Sequence, residues 1–466
     1  MKKIVLITIV TSLIVACDMV VNDEYPPQNQ TEDLTVKSVV ISGNDLFVFP
    51  SGDLTGVEDA DNIEYALNEV KAKGGVVYLT DEDDSTVDHF YTSRNIVVNG
   101  FKGTLIGESH MNTIINAGRK SESEGFSGTI SPWWSLIPIY NPYALTVLQL
   151  DNASGDVIIK DLSIKIKDNQ PANPYKDYNS NEATCITNFI EILGGEHNTY
   201  IENLRLEGKE SSSYGNILGM NVDYGIHVML GNPTKEIKEN GILSIKNVEI
   251  ENTGQDAVLF MRFGKGSKIT IDDVKTINVG RGLQAGNVFG SFVKVTKMDI
   301  LIHPQGYQGI GVWTIPDGLK IMNNTIRESN YFGILFWPEV NNSAIIDNKF
   351  IDIDNNWAGI LVNGFGNSFT NNDFTESGLP GWTTATPEGP GAIVLRAPTY
   401  DNVVRFPQSN DMSLCEMILD LTDDPTTKMY DGLNKIHNYQ PCENLENRDN
   451  KFELLDIEPP GLFKLY

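Results

Sequence analysis

Four hexapeptides decide how this chain folds: VTKMDI (295–300), IMNNTI (321–326), IIDNKF (345–350) and FTNNDF (369–374). Each opens and closes on an apolar or β-branched side chain and carries a polar residue third. Upstream the same form recurs as IKDLSI (159–164), IENLRL (201–206), IKNVEI (245–250) and IDDVKT (271–276). The third positions, Asp161, Asn203, Asn247, Asp273, Lys297, Asn323, Asp347 and Asn371, are spaced by 42, 44, 26, 24, 26, 24 and 24 residues. The five shorter steps define a coil of about 25 residues, and the two long ones hold an insertion or an additional turn. A second series runs in register with the first: YGIHVML (224–230), QDAVLFM (255–261), RGLQAGN (281–287), QGIGVWT (308–314), FGILFWP (332–338), AGILVNG (358–364) and GAIVLRA (391–397). Short strands joined by turns rich in Asn and Gly bury an apolar face only by stacking on the next coil. The expected fold is therefore all-β, a parallel solenoid rising about 4.8 Å per coil. Period-2 alternation and β-branched content argue against helical repeats.

Working outward, Ile63, Ala66, Leu67 and Val70 fall on one face of a helix over Asp61–Ala72, followed by Gly74-Gly75 and the strand GVVYL. Such a helix caps the open end of a solenoid, where core and strand edge would otherwise be exposed. These features, with GTLIGES (103–109), resemble the pectate-lyase-like right-handed parallel β-helix superfamily over about Val57–Val404. The resemblance implies a right-handed β-helix. It does not imply one activity, since that superfamily holds lyases, glycoside hydrolases, epimerases and tail-spike or adhesin-like proteins.

At the N-terminus, Lys2 and Lys3 precede an apolar run from Ile4 to Val15, too short to span a bilayer, and LIVAC (13–17) resembles the bacterial lipoprotein cleavage box. The domain reading is a signal peptide over 1–16, a polar tether over 17–35, the β-helix over 36–404, and a C-terminal cap or tail over 405–466. Cys17 becomes the lipid-bearing first residue, so the protein reaches a membrane of the bacterial cell envelope through lipid, on its periplasmic or cell-surface side. Cys415 and Cys442 form a disulfide or stay free thiols, and Cys185 reads as a small buried side chain.

The chain has 35 Lys and Arg against 62 Asp and Glu, a formal charge of −27. That charge excludes a nucleic-acid partner, which needs a basic footprint. Without the leader the balance is 33 against 62, or −29, which repels an acidic polymer. The expected partner is a polysaccharide, neutral or bridged by Ca²⁺. Tethering at the N-terminus argues against a tail-spike-like trimer and for a monomer.

Alternation in YGIHVML turns Ile226 and Val228 inward and His227 and Met229 outward. Extended along the stack, the outward columns are expected to hold Val258, Gln284, Gly311, Leu335, Leu361 and Ile393 beside His227, and Phe260, Gly286, Trp313 and Trp337 beside Met229. Aromatics recur on neighbouring coils, Trp313 beside Trp337 and Tyr307 beside Tyr331 and Trp357. They form either a sugar-binding platform or a second core covered by loops such as 129–143, which carries Trp133 and Trp134.

Two coils resemble the polygalacturonase-type glycoside hydrolases, whose Asn-Thr-Asp-Gly, Gly-Asp-Asp and Gly-His-Gly-Leu fall on successive coils. Here the matching stretches are NVDYG (221–225), GQDA (254–257) and GRGL (280–283). Asp223 and Asp256 match two of the three aspartates, but Gln255 replaces the third and Arg281 the histidine. Hydrolysis needs two carboxyl groups, and Gln255 cannot donate a proton. The stretch is thus either a rung shared among β-helices or a remodelled site. A remodelled site suits elimination from a uronate, with Asp223 and Asp256 holding Ca²⁺, Arg262 or Arg281 near the substrate, and His227 as an alternative base. Glu339 and Arg396 are weaker candidates. The acidic run 81–84 is a solvated loop or, alternatively, a Ca²⁺ site. Two functions remain in play: a lyase or glycoside hydrolase, and a non-catalytic envelope protein that binds glycan or serves as a scaffold.

Overall fold

The computed structural model describes residues 38–81, 87–118, 128–130, 139–141, 145–166, 187–210, 220, 222–230, 239–315, 318–336, 340–353, 358–362, 364–377, 391–396, 402–405, 418–421, 435–437 and 453–455. Cys17, Cys185, Cys415, Cys442, Trp133, Trp134, Trp337, Trp357 and Glu339 lie outside the described residues.

Three parallel ladders run the length of the molecule, as a β-helix requires. The first stacks Tyr224–Met229, Asp256–Met261, Arg281–Gly286, Gln308–Trp313, Phe332–Phe336, Ala358–Val362 and Gly391–Arg396. The second contains Ile242–Glu251, Lys268–Val279, Phe292–Thr296, Leu319–Met322, Ala344–Ile346 and Ser368–Thr370. The third takes the distal halves of the two longest of these and continues through Asp299–Ile302, Thr325–Arg327 and Lys349–Ile351. The stacking does not stop at Val404. Ile418–Leu421, Lys435–His437 and Glu453–Leu455 extend the first and second ladders in parallel.

The repeated polar third residue has a backbone cause. All eight, Asp161 to Asn371, sit at the corner between second and third ladders with φ between 50° and 59°. Asn and Asp tolerate that left-handed conformation better than other non-glycine residues, because their short side chains bond locally. The side chains then stack, Asn203 donating to Asp161 at 2.8 Å and Asn247 to Asn203 at 2.7 Å.

Inside, Ile, Val, Leu and Phe from all three ladders form one continuous core. A second polar ladder runs along it: Asn324, Asn348 and Asn372 are buried, each donating to a backbone carbonyl and accepting from the coil before it. Glycines mark the inward corner of the first ladder. A side chain on Gly309 would place its Cβ 2.6 Å from the Gly333 carbonyl, against Ile326, so the chain passes there without one.

The helix Glu58–Lys73 closes the N-terminal end, burying Ile63, Ala66, Leu67 and Val70 as expected. Acidic residues occupy its first turn and lysines its last, matching the helix dipole. Gly74, at φ 71°, returns its N–H to the Val70 carbonyl and stops it. An antiparallel hairpin, Val39–Ser42 with Asp45–Val48, precedes the helix.

Candidate functional site

Register on the outward face of the first ladder differs from the sequence expectation at two coils. Ile226 pairs with Val258 and Val228 with Phe260, so Val258 and Phe260 are core residues, and Leu259 and Met261 stand beside His227 and Met229. Ile393 likewise is buried in the core, and Val394 takes the position beside Leu361. Both slips fall where the corner residue is alanine, Ala257 and Ala392, so a strand aligned by its glycine shifts by one residue. A one-residue shift exchanges the two faces of a strand.

The corrected register gathers a polar group. Asp256 and Arg281 are directly paired on neighbouring strands. Arg281 Nε lies 2.6 Å from Asp256 Oδ1, and Nη2 donates to Gln255 Oε1 at 2.9 Å and to Asp256 Oδ2 at 3.3 Å. Asp256 is fully buried, and burial pushes its carboxyl up to about 6 against the pull of Arg281 and His227. Asp223 is also buried, but it stands opposite Gln255, whose N–H donates to the Asp223 carbonyl at 2.8 Å. Arg281 closes on Asp256, and Asp223 stands one residue off Asp256 in register, so no step is routed through a shared Ca²⁺. Arg262 is at the far end of its strand, six residues or about 20 Å of extended chain from Asp256, outside the group.

His227 is 2% exposed. Its Nδ1 lies 3.8 Å from Glu191 Oε2, and its Nε2 is buried without a hydrogen-bond partner among the described residues. Glu191 occupies the preceding strand, Thr187–Glu207, directly beside His227 in the ladder. Asn188 holds the same oxygen, donating Nδ2 to Glu191 Oε2 at 2.6 Å. Beyond them, Gln149 pairs with Glu191 in register and donates to Asp151 at 3.0 Å. Burial, then Glu191, pushes Asp151 up to about 7.

Glu191, Asn188, Gln149 and Asp151 were not found from sequence. Glu191 and Asn188 lie in the 42-residue step, Gln149 and Asp151 precede the first corner residue Asp161, and TNFIEILGG (187–195) has no glycine at the corner that marks the later strands. The available signal was Glu191 alternating with apolar neighbours.

The aromatic residues divide. Tyr307 and Tyr331 stack with ring centroids 5.9 Å apart and 30° between planes, as expected, and Arg281 lies 5.9 Å from the Tyr307 centroid. Tyr331 is 38% exposed and marks the open edge. Trp313 lies over Gly286, where any side chain would collide with its indole, and packs half-buried on Leu193, Tyr224, Met229, Leu259 and Met261. One face thus presents a buried carboxylate–guanidinium pair, a buried glutamate–histidine pair, and tyrosines at the rim. Chemically it can bind an anionic or ring-shaped ligand at Arg281 and Tyr331, and can move a proton at His227 if ligand reaches it.

No protein family's sequence profile matches the chain, and no curated protein is similar to it. Among solved structures, the chain is similar to the periplasmic alginate epimerase AlgG, with 12% identity, a TM-score of 0.41, and 84% of this chain and 78% of that one covered. It is also similar to the A-module of the Azotobacter vinelandii mannuronan C-5 epimerase AlgE6, with 12% identity, a TM-score of 0.42, and coverage of 84% and 92%. The protein is a parallel β-helix. Its three parallel ladders form that solenoid.

Proposed function

We propose that the protein binds a uronate-bearing polysaccharide along the first ladder and removes the proton at C5 of a uronate ring. The observation that carries this reading is the placing on one face, two coils apart, of a guanidinium held by a buried carboxylate and a histidine whose Nε2 has no partner among the described residues. Nε and Nη2 of Arg281 serve Asp256 and Gln255, which leaves Nη1 for the sugar carboxylate. As C5–H breaks, charge builds on that carboxylate, and a fixed cation stabilises it without reorganising. His227 takes the proton on Nε2, and Glu191 stabilises the imidazolium that forms. The electron pair released at C5 then forms the C4–C5 double bond and expels the oxygen at C4, cleaving the chain by elimination. Tyr307 and Tyr331 offer ring faces to the neighbouring sugars.

The test is incubation with a panel of uronate and neutral polysaccharides, reading unsaturated ends and exchange of the C5 proton with D₂O. Turnover on a uronate polymer is expected, and His227→Ala should reduce it by about 10²-fold or more. The rival reading, a non-catalytic glycan binder, is favoured by the burial of His227, Glu191 and Asp256, which leaves Arg281 and the tyrosines as the groups that solvent reaches. Retained glycan binding with neither product nor exchange on any polymer would decide for it. Export and anchoring through Cys17 belong to the same proposal, and Cys17→Ser should move the protein from the membrane to the soluble fraction.

A further inference from the structure

At the N-terminal coils, off the first ladder, three carboxylates converge. Asp81 follows the strand Val76–Leu79, Asp88 opens the strand Asp88–Thr92, and Glu108 follows Gly103–Gly107 on the next coil. Each offers an oxygen within 4.8 Å of the other two. Oxygens around one Ca²⁺ at about 2.4 Å lie up to about 4.8 Å apart, so the three are spaced on the scale of a single ion's ligands.

Proximity of acids alone would mean little on a chain of charge −27. Asp88 is what sets this group apart. It is 1% exposed, and its Oδ1 is buried with no hydrogen-bond partner among the described residues, while Oδ2 accepts the Asp81 N–H at 3.0 Å. A buried carboxylate oxygen left without a donor is costly and calls for a cation or a proton. No Lys or Arg among the described residues forms an ion pair with Asp88 or Glu108. The surroundings are oxygen-rich: the Thr80 hydroxyl donates to Glu108 Oε1 at 2.5 Å, and the Thr113 hydroxyl receives the Glu108 N–H at 2.9 Å. Thr113 in turn reaches the Leu79 carbonyl, so the frame holding the acids is tied across both coils.

We propose that Asp81, Asp88 and Glu108 bind one Ca²⁺ ion that pins the first two coils together beside the capping helix. The donor set is all oxygen and carries three formal negative charges, the chemistry of a hard divalent ion. The acids sit at a corner where the second ladder ends and the third begins, so the ion joins the ends of strands on two coils. The site is structural and independent of the polysaccharide reading.

The full chain, stripped with chelator, is titrated with CaCl₂ by calorimetry at neutral pH, and thermal unfolding is followed in parallel. One saturable site is expected above any diffuse surface binding, with a midpoint temperature that climbs as Ca²⁺ is added. Asp88→Asn should abolish the saturable site, and Glu108→Gln should weaken it at least tenfold. Should Asp88→Asn fail to fold, Asp81→Asn, at a less buried position, serves in its place. The proposal is overturned if the wild type shows no saturable Ca²⁺ site, if both variants bind as the wild type does, or if Mg²⁺ binds more tightly. It is equally overturned if acidification raises the unfolding midpoint while Ca²⁺ has no effect, since a shared proton then satisfies the acids.

Discussion

At Asp256, burial and pairing pull in opposite directions. Burial wins, and the carboxyl is held at about 6 against an ordinary 3.8. The folded state therefore binds a proton more tightly than the unfolded state, and this group's contribution to stability falls as pH rises from about 4 to about 6. Measured by urea unfolding across that range, the wild type should lose stability relative to Asp256→Asn as the pH is raised. Arg281→Met removes the ion-pair partner of a fully buried carboxylate. Its cost above pH 7 should be about 3–5 kcal/mol, and it should shrink toward pH 4 as Asp256 takes up a proton. Asp256, Arg281 and His227 were legible in the sequence because each lies in a strand marked by the repeat. Glu191, and the pairing of Gln255 with Arg281, were not, because a contact between coils depends on register, and register is not carried by residue type.

The corners and ladders explain the repeat. A left-handed residue costs a non-glycine side chain about 1–2 kcal/mol, less for Asn and Asp. Lys297 is the one member of the corner series that is neither, at φ 54°. Its contact with Asp272, at 3.6 Å and 65% exposed, is a surface pair of little worth. Lys297→Asn should therefore raise stability by about 0.5–1 kcal/mol, seen as a higher denaturant midpoint with unchanged slope. In the buried ladder, Asn348 donates to the Ile321 carbonyl and to Asn372, and accepts from Asn324. Asn348→Leu strands groups on two coils and should cost about 2–4 kcal/mol in the same measurement. The corner series was visible because positive φ restricts residue type. The first-ladder face was misaligned at Ala257 and Ala392, where alanine occupies the corner that elsewhere takes glycine.

Over the whole molecule, a charge of −27 surrounds a site whose cation, Arg281, is already paired with Asp256. An anionic polysaccharide approaching it works against the field of the protein, and salt screens that field over about 10 Å at 0.1 M. Binding of a uronate polymer should thus strengthen between about 10 and 100 mM NaCl, the reverse of a basic binder, and calorimetry at three salt concentrations reads the sign. The solenoid itself follows from sequence alone. Spacing of 24 to 26 residues, strand alternation and the corner residues are local properties, and each coil repeats the same local solution. Stacking then follows because one coil cannot bury its own apolar face. Only the tertiary structure decided what shares the outward face. It showed Glu191 beside His227, Arg281 closed on Asp256, Arg262 just past the opposite end of the strand that Asp256 opens, and Asp88 facing Asp81 and Glu108. Those juxtapositions join residues on different coils, and a shift of one residue in pairing, which the composition of a strand barely registers, decides which side chains meet and which point into the core.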